Sequence, residues 1–320
     1  MEPRILADLE HSYGIMVRHA TPVAGGWLNR KWKVETGSGT FLVKQFSHSR
    51  YDRTGLDQIH HALQRQRVLE AEGFPCPRIV PCRQDAVRRV DDETTYMVMT
   101  FCAGGIERHD TISATQMHSL GKACGAMHLA FSRLPVAGVK GYPLCGQRLI
   151  DSLWAYHRTH AGQMAKDAPI AYRQTIQAQE AVLRTLCAEW LDRLPMGIAH
   201  EDFSADNMLF HPEGVSAILD FDRNQYSWLW HDIGRALLSF SWTGERLDAD
   251  KVAAFRAGYA TCLPLSHQDV VEALRITWCL ESPWWIVPER FAGDGSEKIT
   301  RFRDELLWLT HRWFDLDSLV

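Results

Sequence analysis

The sequence predicts an α+β protein in two lobes, a small β-rich one over residues 1–102 and a larger, mainly helical one over 103–320. Three observations carry this. The first hundred residues hold three runs of strand character, RKWKVET (30–36), TFLVKQF (40–46) and TTYMVMTF (94–101). Beyond the pair Gly104-Gly105, apolar residues recur mostly at helical spacing to the end of the chain. The length of 320 residues, 46% of them hydrophobic, is enough to fill the cores of two such parts.

The elements follow in order. Residues 14–46 read as strands. In RKWKVET, Trp32 and Val34 share one face and Lys31, Lys33 and Glu35 the other; GSG (37–39) turns the chain into TFLVKQF, which makes a hairpin. AGGWLN (24–29) lies at an earlier strand junction, so three consecutive strands are expected. Residues 54–72 form a helix with Leu56, Ile59, Leu63, Val68 and Leu69 on its apolar stripe, stopped at Gly73. FPCPRIVPC (74–82) breaks that helix and leads into an extended segment, and 94–101 is a buried strand. Residues 113–133 are helical, with Met117, Leu120, Cys124, Met127 and Phe131 inward, and 148–195 are mostly helical with exposed charges. VSAILDFD (215–222) is a short strand. Helices resume near 231 and carry the Trp-rich segments ITWCLESPWW (276–285) and LLWLTHRWF (306–314), whose tryptophans are mostly core.

Composition excludes several partners. A net charge of −4 and a pI near 6.4 give no basic stripe for nucleic acid. The start lacks the basic and apolar regions of a signal peptide, and no apolar run reaches membrane-spanning length. Eight scattered cysteines without a Cys-x-x-Cys pair point to reduced thiols in a cytoplasmic protein.

The chemistry concentrates in GIAHEDFSADNMLF (197–210), where His200, Glu201, Asp202, Ser204, Asp206 and Asn207 stand between two apolar flanks. Polar groups beside a core must each find a partner. Asp202 and Asn207 share one loop. HPEG (211–214) turns the chain back, so that Asp220, thirteen residues past Asn207, returns beside it. One amide oxygen and one carboxylate make an oxygen-only site suited to Mg²⁺. Asp202 is placed to accept a proton from an alcohol. Metal and base together are what phosphoryl transfer requires.

HEDFSADNMLF…ILDFD resembles the HGDxxxxN…IDxD segment of the aminoglycoside phosphotransferase and choline kinase family, small-molecule kinases with a protein-kinase-like fold. Both blocks stand in the right order and separation, and the order of elements fits along most of the chain. The resemblance implies Asp202 as catalytic base, Asn207 and Asp220 as Mg²⁺ ligands, His200 as a support of the loop, and Asp232 in WLWHDIGRALLSF (228–240) as its brace from below. Alone, Asp232 also reads as a helix N-cap. Lys44, inside an apolar strand, would pair the α- and β-phosphates; in isolation it reads as an edge-strand lysine facing water. Gly25 and Gly26 fall where the family covers the nucleotide. YMVMTFCAGG (96–105) is similar to the hinge strand, with backbone contacts to the purine at Thr100 and Cys102 and with Met99 lining the pocket. The resemblance implies ATP as the nucleotide, with GTP as the alternative; the hinge residues do not choose between them.

The sequence also departs from that family. Helix 54–72 offers no glutamate for the strand lysine at suitable spacing, which leaves Gln64 or His60 to hold Lys44. Glu201 replaces a glycine, so its side chain is expected to point outward and border the acceptor pocket. Asp222 reads equally as a contact for a substrate amine or a partner of Arg223. Glu281, Asp304, Glu305 and Asp315 could receive a cationic acceptor, against the commoner reading of solvated helix faces. The function implied is transfer of a nucleotide γ-phosphate to a hydroxyl of a small molecule, such as an aminoglycoside, sugar, amino alcohol or homoserine. A protein Ser/Thr kinase of the same fold and a non-catalytic binding module are the alternatives; the presence of Lys44, Asp202, Asn207 and Asp220 together speaks against the second.

Overall fold

The computed structural model describes residues 1–23, 29–162, 168–291 and 296–320, and divides the chain into two compact units. The first comprises residues 1–105, 207–211 and 215–224. Elements are numbered in chain order. An antiparallel sheet forms from β1 (Val17–Pro22), β2 (Arg30–Thr36), β3 (Thr40–Phe46), β4 (Ile79–Val80), β5 (Arg88–Arg89) and β6 (Thr95–Thr100), in the order β1-β2-β3-β6-β4, with β5 also on β6. The alternation of RKWKVET sends Trp32 and Val34 to one face, where with Val43, Tyr96 and Val98 they meet Ile5 and Leu9 of α1 (Pro3–Tyr13). The other face carries Phe46, Met97 and Met99, which pack on Ile59 and Leu63 of α2 (Arg53–Ala71). A hairpin of β8 (Met208–His211) and β9 (Gly214–Ile218) completes this unit; the Ile218 N–H donates to Pro75 O at 2.8 Å.

Helix α1 was not foreseen from the sequence. Its signals are local: Pro3 at the first helical position, and Gly14 as a left-handed cap at φ 66° that returns its N–H to Glu10 O and Leu9 O. Asp8 on this helix accepts from Arg88 at 2.8 and 2.9 Å and from the Tyr96 hydroxyl at 2.7 Å, fastening α1 to the sheet.

The second unit comprises residues 106–206, 212–214 and 225–320. It holds α3 (Ala114–Phe131), α4 (Gly146–Gly162), α5 (Ile170–Leu183), α6 (Ala188–Arg193), α7 (Trp230–Ser241), α8 (Ala249–Tyr259), α9 (His267–Trp285), α10 (Glu297–Arg312) and α11 (Leu316–Leu319). A two-stranded ladder joins β7 (Met196–Ala199) to β10 (Gln225–Trp228). That ladder matters for the site. It sets His200, just past β7, near the start of α7, which follows β10 by one residue. Trp278, Trp308 and Trp313 are buried as expected, while Trp284 is exposed. All eight cysteines are free, and among the described residues no helix is long and apolar enough to cross a membrane.

Helices α3 and α8 approach closely through glycines. A Cβ on Gly258 would sit 1.9 Å from the His118 carbonyl oxygen, and one on Gly121 would sit 2.0 Å from that of Phe255. Backbone meets backbone at both points, so neither neighbour can rotate away. Gly258→Ala is therefore expected to destabilise the protein by at least the 1–3 kcal/mol typical of overpacking, with a fall in Tm of several degrees. Thermal unfolding checks this against Gly162→Ala, where the added carbon meets open space.

Candidate functional site

In the β-rich unit, Lys44 on β3 stands opposite Lys31 on β2 and Met97 on β6. It lies on the sheet face that packs against α2, among Leu42, Phe46 and Met97. Its side chain is 3% exposed, yet it is paired: Nζ lies 2.6 Å from Asp220 Oδ1 and 2.5 Å from Asp222 Oδ2. Lys31 Nζ adds a contact of 3.6 Å to Asp220 Oδ2. Burial pulls the Lys44 amine toward its neutral form. The two carboxylates outweigh that and hold its pKa above the ordinary lysine value.

Strand β9 ends at Ile218, so Asp220 does not lie on the returning strand as the sequence suggested. It stands in the left-handed region at φ 64°, just before a 3-10 turn, Phe221–Arg223. Asn207 closes another 3-10 turn, Ala205–Asn207, and its carbonyl accepts the Leu219 N–H at 2.8 Å. That bond ties Asn207 to the residue before Asp220. The donor set is hard oxygen only. Among the described residues no group of three or more His, Cys, Asp or Glu side chains could hold a metal. Two protein oxygens suit a hard cation that keeps its waters and takes its remaining ligands from phosphate.

The residues expected to hold Lys44 do otherwise. Gln64 Nε2 and His60 Nε2 lie 3.4 Å from each other, and Gln64 Oε1 accepts from Arg67. The helix instead contributes Arg65, whose guanidinium donates to Asn224 Oδ1 and O at 2.6 and 2.9 Å. At the hinge, Met99 is buried in β6. The Thr100 N–H is already donated to Arg78 O at 2.8 Å and the Phe101 N–H to Thr40 O at 3.1 Å. Gly25 and Gly26 fall outside the described residues.

In the helical unit, Asp232 in the first turn of α7 is a buried hub. Its carboxylate accepts the backbone N–H of His200 at 2.7 Å and of Glu201 at 2.9 Å. His128 Nε2 on α3 lies 3.1 Å from Asp232 Oδ2, and His128 Nδ1 lies 3.0 Å from the Tyr259 hydroxyl on α8. The glycine contact between α3 and α8 thus supports the loop that carries Asp202. Burial would raise the Asp232 pKa, but His128 and the other histidines around it keep it below the usual carboxylate value. The Asp202 N–H donates to His200 Nδ1 at 3.3 Å, so His200 accepts with that nitrogen. His128 and Tyr259 were missed in the sequence; the available signal was a histidine inside an otherwise apolar helix face.

Glu201 does not point outward. Its backbone takes the left-handed φ of 67°, the conformation a glycine would adopt freely, and its carboxylate turns inward at 14% exposure. It accepts from Gln225 Nε2 at 2.9 Å and lies 3.2 Å from His231 Nδ1. His231 Nε2 is 3.0 Å from Glu281, and Arg235 bonds both Glu281 (2.7 Å) and Glu305 while its guanidinium lies over the Phe302 ring. Glu281 and Glu305 are therefore consumed in buried ion pairs, and Asp304 pairs with Arg303. The acidic surface expected to await a cation is largely neutralised.

The model of the phosphotransferase enzyme family matches residues 19–265. A homoserine kinase of Xanthobacter autotrophicus is 26% identical over 276 residues, covering 83% of this chain and 81% of its own. A homoserine kinase of Methylocella silvestris is 28% identical over 264 residues, with 82% and 77% covered. Among solved structures, an amicoumacin kinase complexed with AMP-PNP, Ca²⁺ and Ami superposes with a TM-score of 0.69 at 15% identity, covering 100% of this chain and 97% of its own. A microcompartment-associated aminopropanol kinase gives 0.67 at 18% identity, with 100% and 99% covered. These structural likenesses are of fold, and the fold is the kinase-like one.

The histidine between two glutamates gives a pH test. Burial opposes charge on His231, but Glu201 and Glu281 override it and raise its pKa from 6.5 to about 10. A raised folded value means the stabilisation is complete below the unfolded value of 6.5 and is lost as pH rises through about 10. The Tm difference between wild type and His231→Gln is expected to be largest near pH 6 and to shrink by pH 10.5. A constant difference across that range would show that His231 is not held as a cation.

Proposed function

This chain belongs to the phosphotransferase enzyme family, and we propose that it transfers the γ-phosphate of ATP to a hydroxyl of a small amino-bearing alcohol. The observation that carries this is the buried Lys44 ammonium set against Asp220, with Asn207 tied to the residue before Asp220. Lys44 engages the α- and β-phosphates. Asn207 and Asp220 hold Mg²⁺, which supplies neutralisation of the charge on the transferring phosphoryl group. Asp202, five residues before Asn207, orients the acceptor hydroxyl and takes its proton. Asp232 fixes the backbone on which Asp202 is carried, by accepting the two preceding N–H groups. The purine is read by main-chain atoms of Cys102, because the N–H groups of Thr100 and Phe101 are already committed to Arg78 and Thr40.

The acceptor class follows from two supports. Curated relatives matched over about four-fifths of their length are homoserine kinases. The carboxylates Glu201, Glu281 and Glu305, which a polycationic antibiotic would need, are paired with His231, Arg235 and Arg301. A hydroxy amino acid or amino alcohol of homoserine size fits these better than an aminoglycoside. Nucleotide consumption measured against homoserine, aminopropanol, choline, an aminoglycoside, a sugar and a generic protein acceptor tests the assignment. Turnover with the aminoglycoside or the protein alone would overturn it.

Asp202→Asn keeps the shape of the side chain and removes its charge. Turnover with an accepted substrate is expected to fall by about two orders of magnitude or more, the scale of a positioned base. Nucleotide affinity should stay near wild type, since Lys44, Asn207 and Asp220 are untouched. Wild-type turnover in this variant would remove Asp202 from the role of base.

A further inference from the structure

We propose that Asp222 is the positioning residue for Lys44, taking the part that a helix glutamate plays in protein kinases. The inference rests on the nucleotide-binding role given to Lys44 above. Lys44 pairs with two carboxylates, and they differ in kind. Asp220 is 26% exposed and is the residue assigned to the metal. Asp222 is 4% exposed and lies 2.5 Å from Nζ. When Asp220 turns to a cation, Asp222 remains as the counter-charge that keeps the ammonium aimed and ionised in a buried place.

Helix α2, whose Glu70 accepts the Ile79 N–H at 3.1 Å, has a second way to reach Lys44. Arg65 of α2 clamps Asn224 through both its side-chain and main-chain oxygens. Asn224 Nδ2 in turn donates to Ala62 O of α2 at 2.8 Å and to Phe221 O at 2.7 Å. Asp222 sits inside that clamped turn, between Phe221 and Asn224. The helix therefore positions Lys44 indirectly, by fixing the turn that carries the carboxylate. A glutamate of α2 placed at Lys44 would be redundant.

The test is a double-mutant cycle on nucleotide affinity, read by calorimetry with ADP in the absence of divalent metal and again with Mg²⁺. Asp222→Ala in the wild-type background is expected to weaken ADP binding about tenfold, which corresponds to loss of about 1.4 kcal/mol. In a Lys44→Met background the same change should shift affinity less than twofold, because Asp222 acts through Lys44. Asp222→Asn, which preserves the shape of the turn, should reproduce the first result if Asp222→Ala folds poorly. It should also raise the Tm of Lys44→Met, by removing a buried carboxylate that has lost its cation. An equal loss of affinity in both backgrounds, or no loss in either, overturns the proposal; a loss seen only with Mg²⁺ makes Asp222 a metal ligand and overturns it too. If wild type binds no nucleotide at all, it is the phosphotransfer reading that falls, a result separable from all of these.

Discussion

The β-rich unit depends on a single buried charge and its answer. Lys44 sits on an apolar sheet face where an unpaired ammonium would be untenable. It is tolerated because Asp220 and Asp222 reach it from 176 and 178 residues further along the chain. That one requirement explains why residues 207–211 and 215–224 belong with the sheet rather than with the helices on either side of them in sequence. It also explains why the turn after β9 departs from a simple strand: Asp220 adopts a left-handed backbone and Asn224 is gripped by α2.

The helical unit solves a different problem with the same device. A loop rich in polar side chains has to be held still without regular secondary structure. Asp232 does this by collecting two backbone N–H groups, and His128 and Tyr259 hold Asp232 in turn. The chain of contacts runs from the loop to α7, then to α3 and α8, whose axes can come that close only because glycine stands at 121 and 258. Glu201 adds a side-chain latch to the same loop and accepts a strained φ to do so. The neighbouring run of His231, Glu281, Arg235 and Glu305 alternates in sign, so no charge in it is buried alone.

What was legible in the sequence follows the range of the interaction. Strands β2, β3 and β6 and helices α2 and α3 are written in local periodicity, and were placed to within a few residues. The candidate catalytic segment stands out in the sequence because its spacing is short and its residue types are specific. Contacts between distant segments were not: nothing within reach of Lys44 in sequence names Asp222, and Gln64 and His60 were suggested only because they were near. Glu201 was misplaced for a related reason. A non-glycine at a tight turn suggests an outward side chain, whereas here Gln225 and His231 supply an inward partner from across the β7–β10 ladder. Helix α1 is marked in the sequence only by Pro3 at its start and Gly14 at its end, since 11 residues are too few for a strong periodic signal.

The long span between Lys44 and its carboxylates has a consequence for how the chain is made. All strands of the main sheet lie within the first hundred residues and leave the ribosome early. At the roughly 5–20 residues per second of translation, Asp222 follows Lys44 by about ten to forty seconds. Throughout that interval the sheet has its lysine but not its counter-charges. The nascent N-terminal segment can collapse but cannot close the face that carries Lys44, and it stays hydrated there until the hairpin after Asn207 is synthesised. Completion of the first unit is therefore a late event in synthesis, set by the arrival of residues 220–222 and not by the order in which its strands appear.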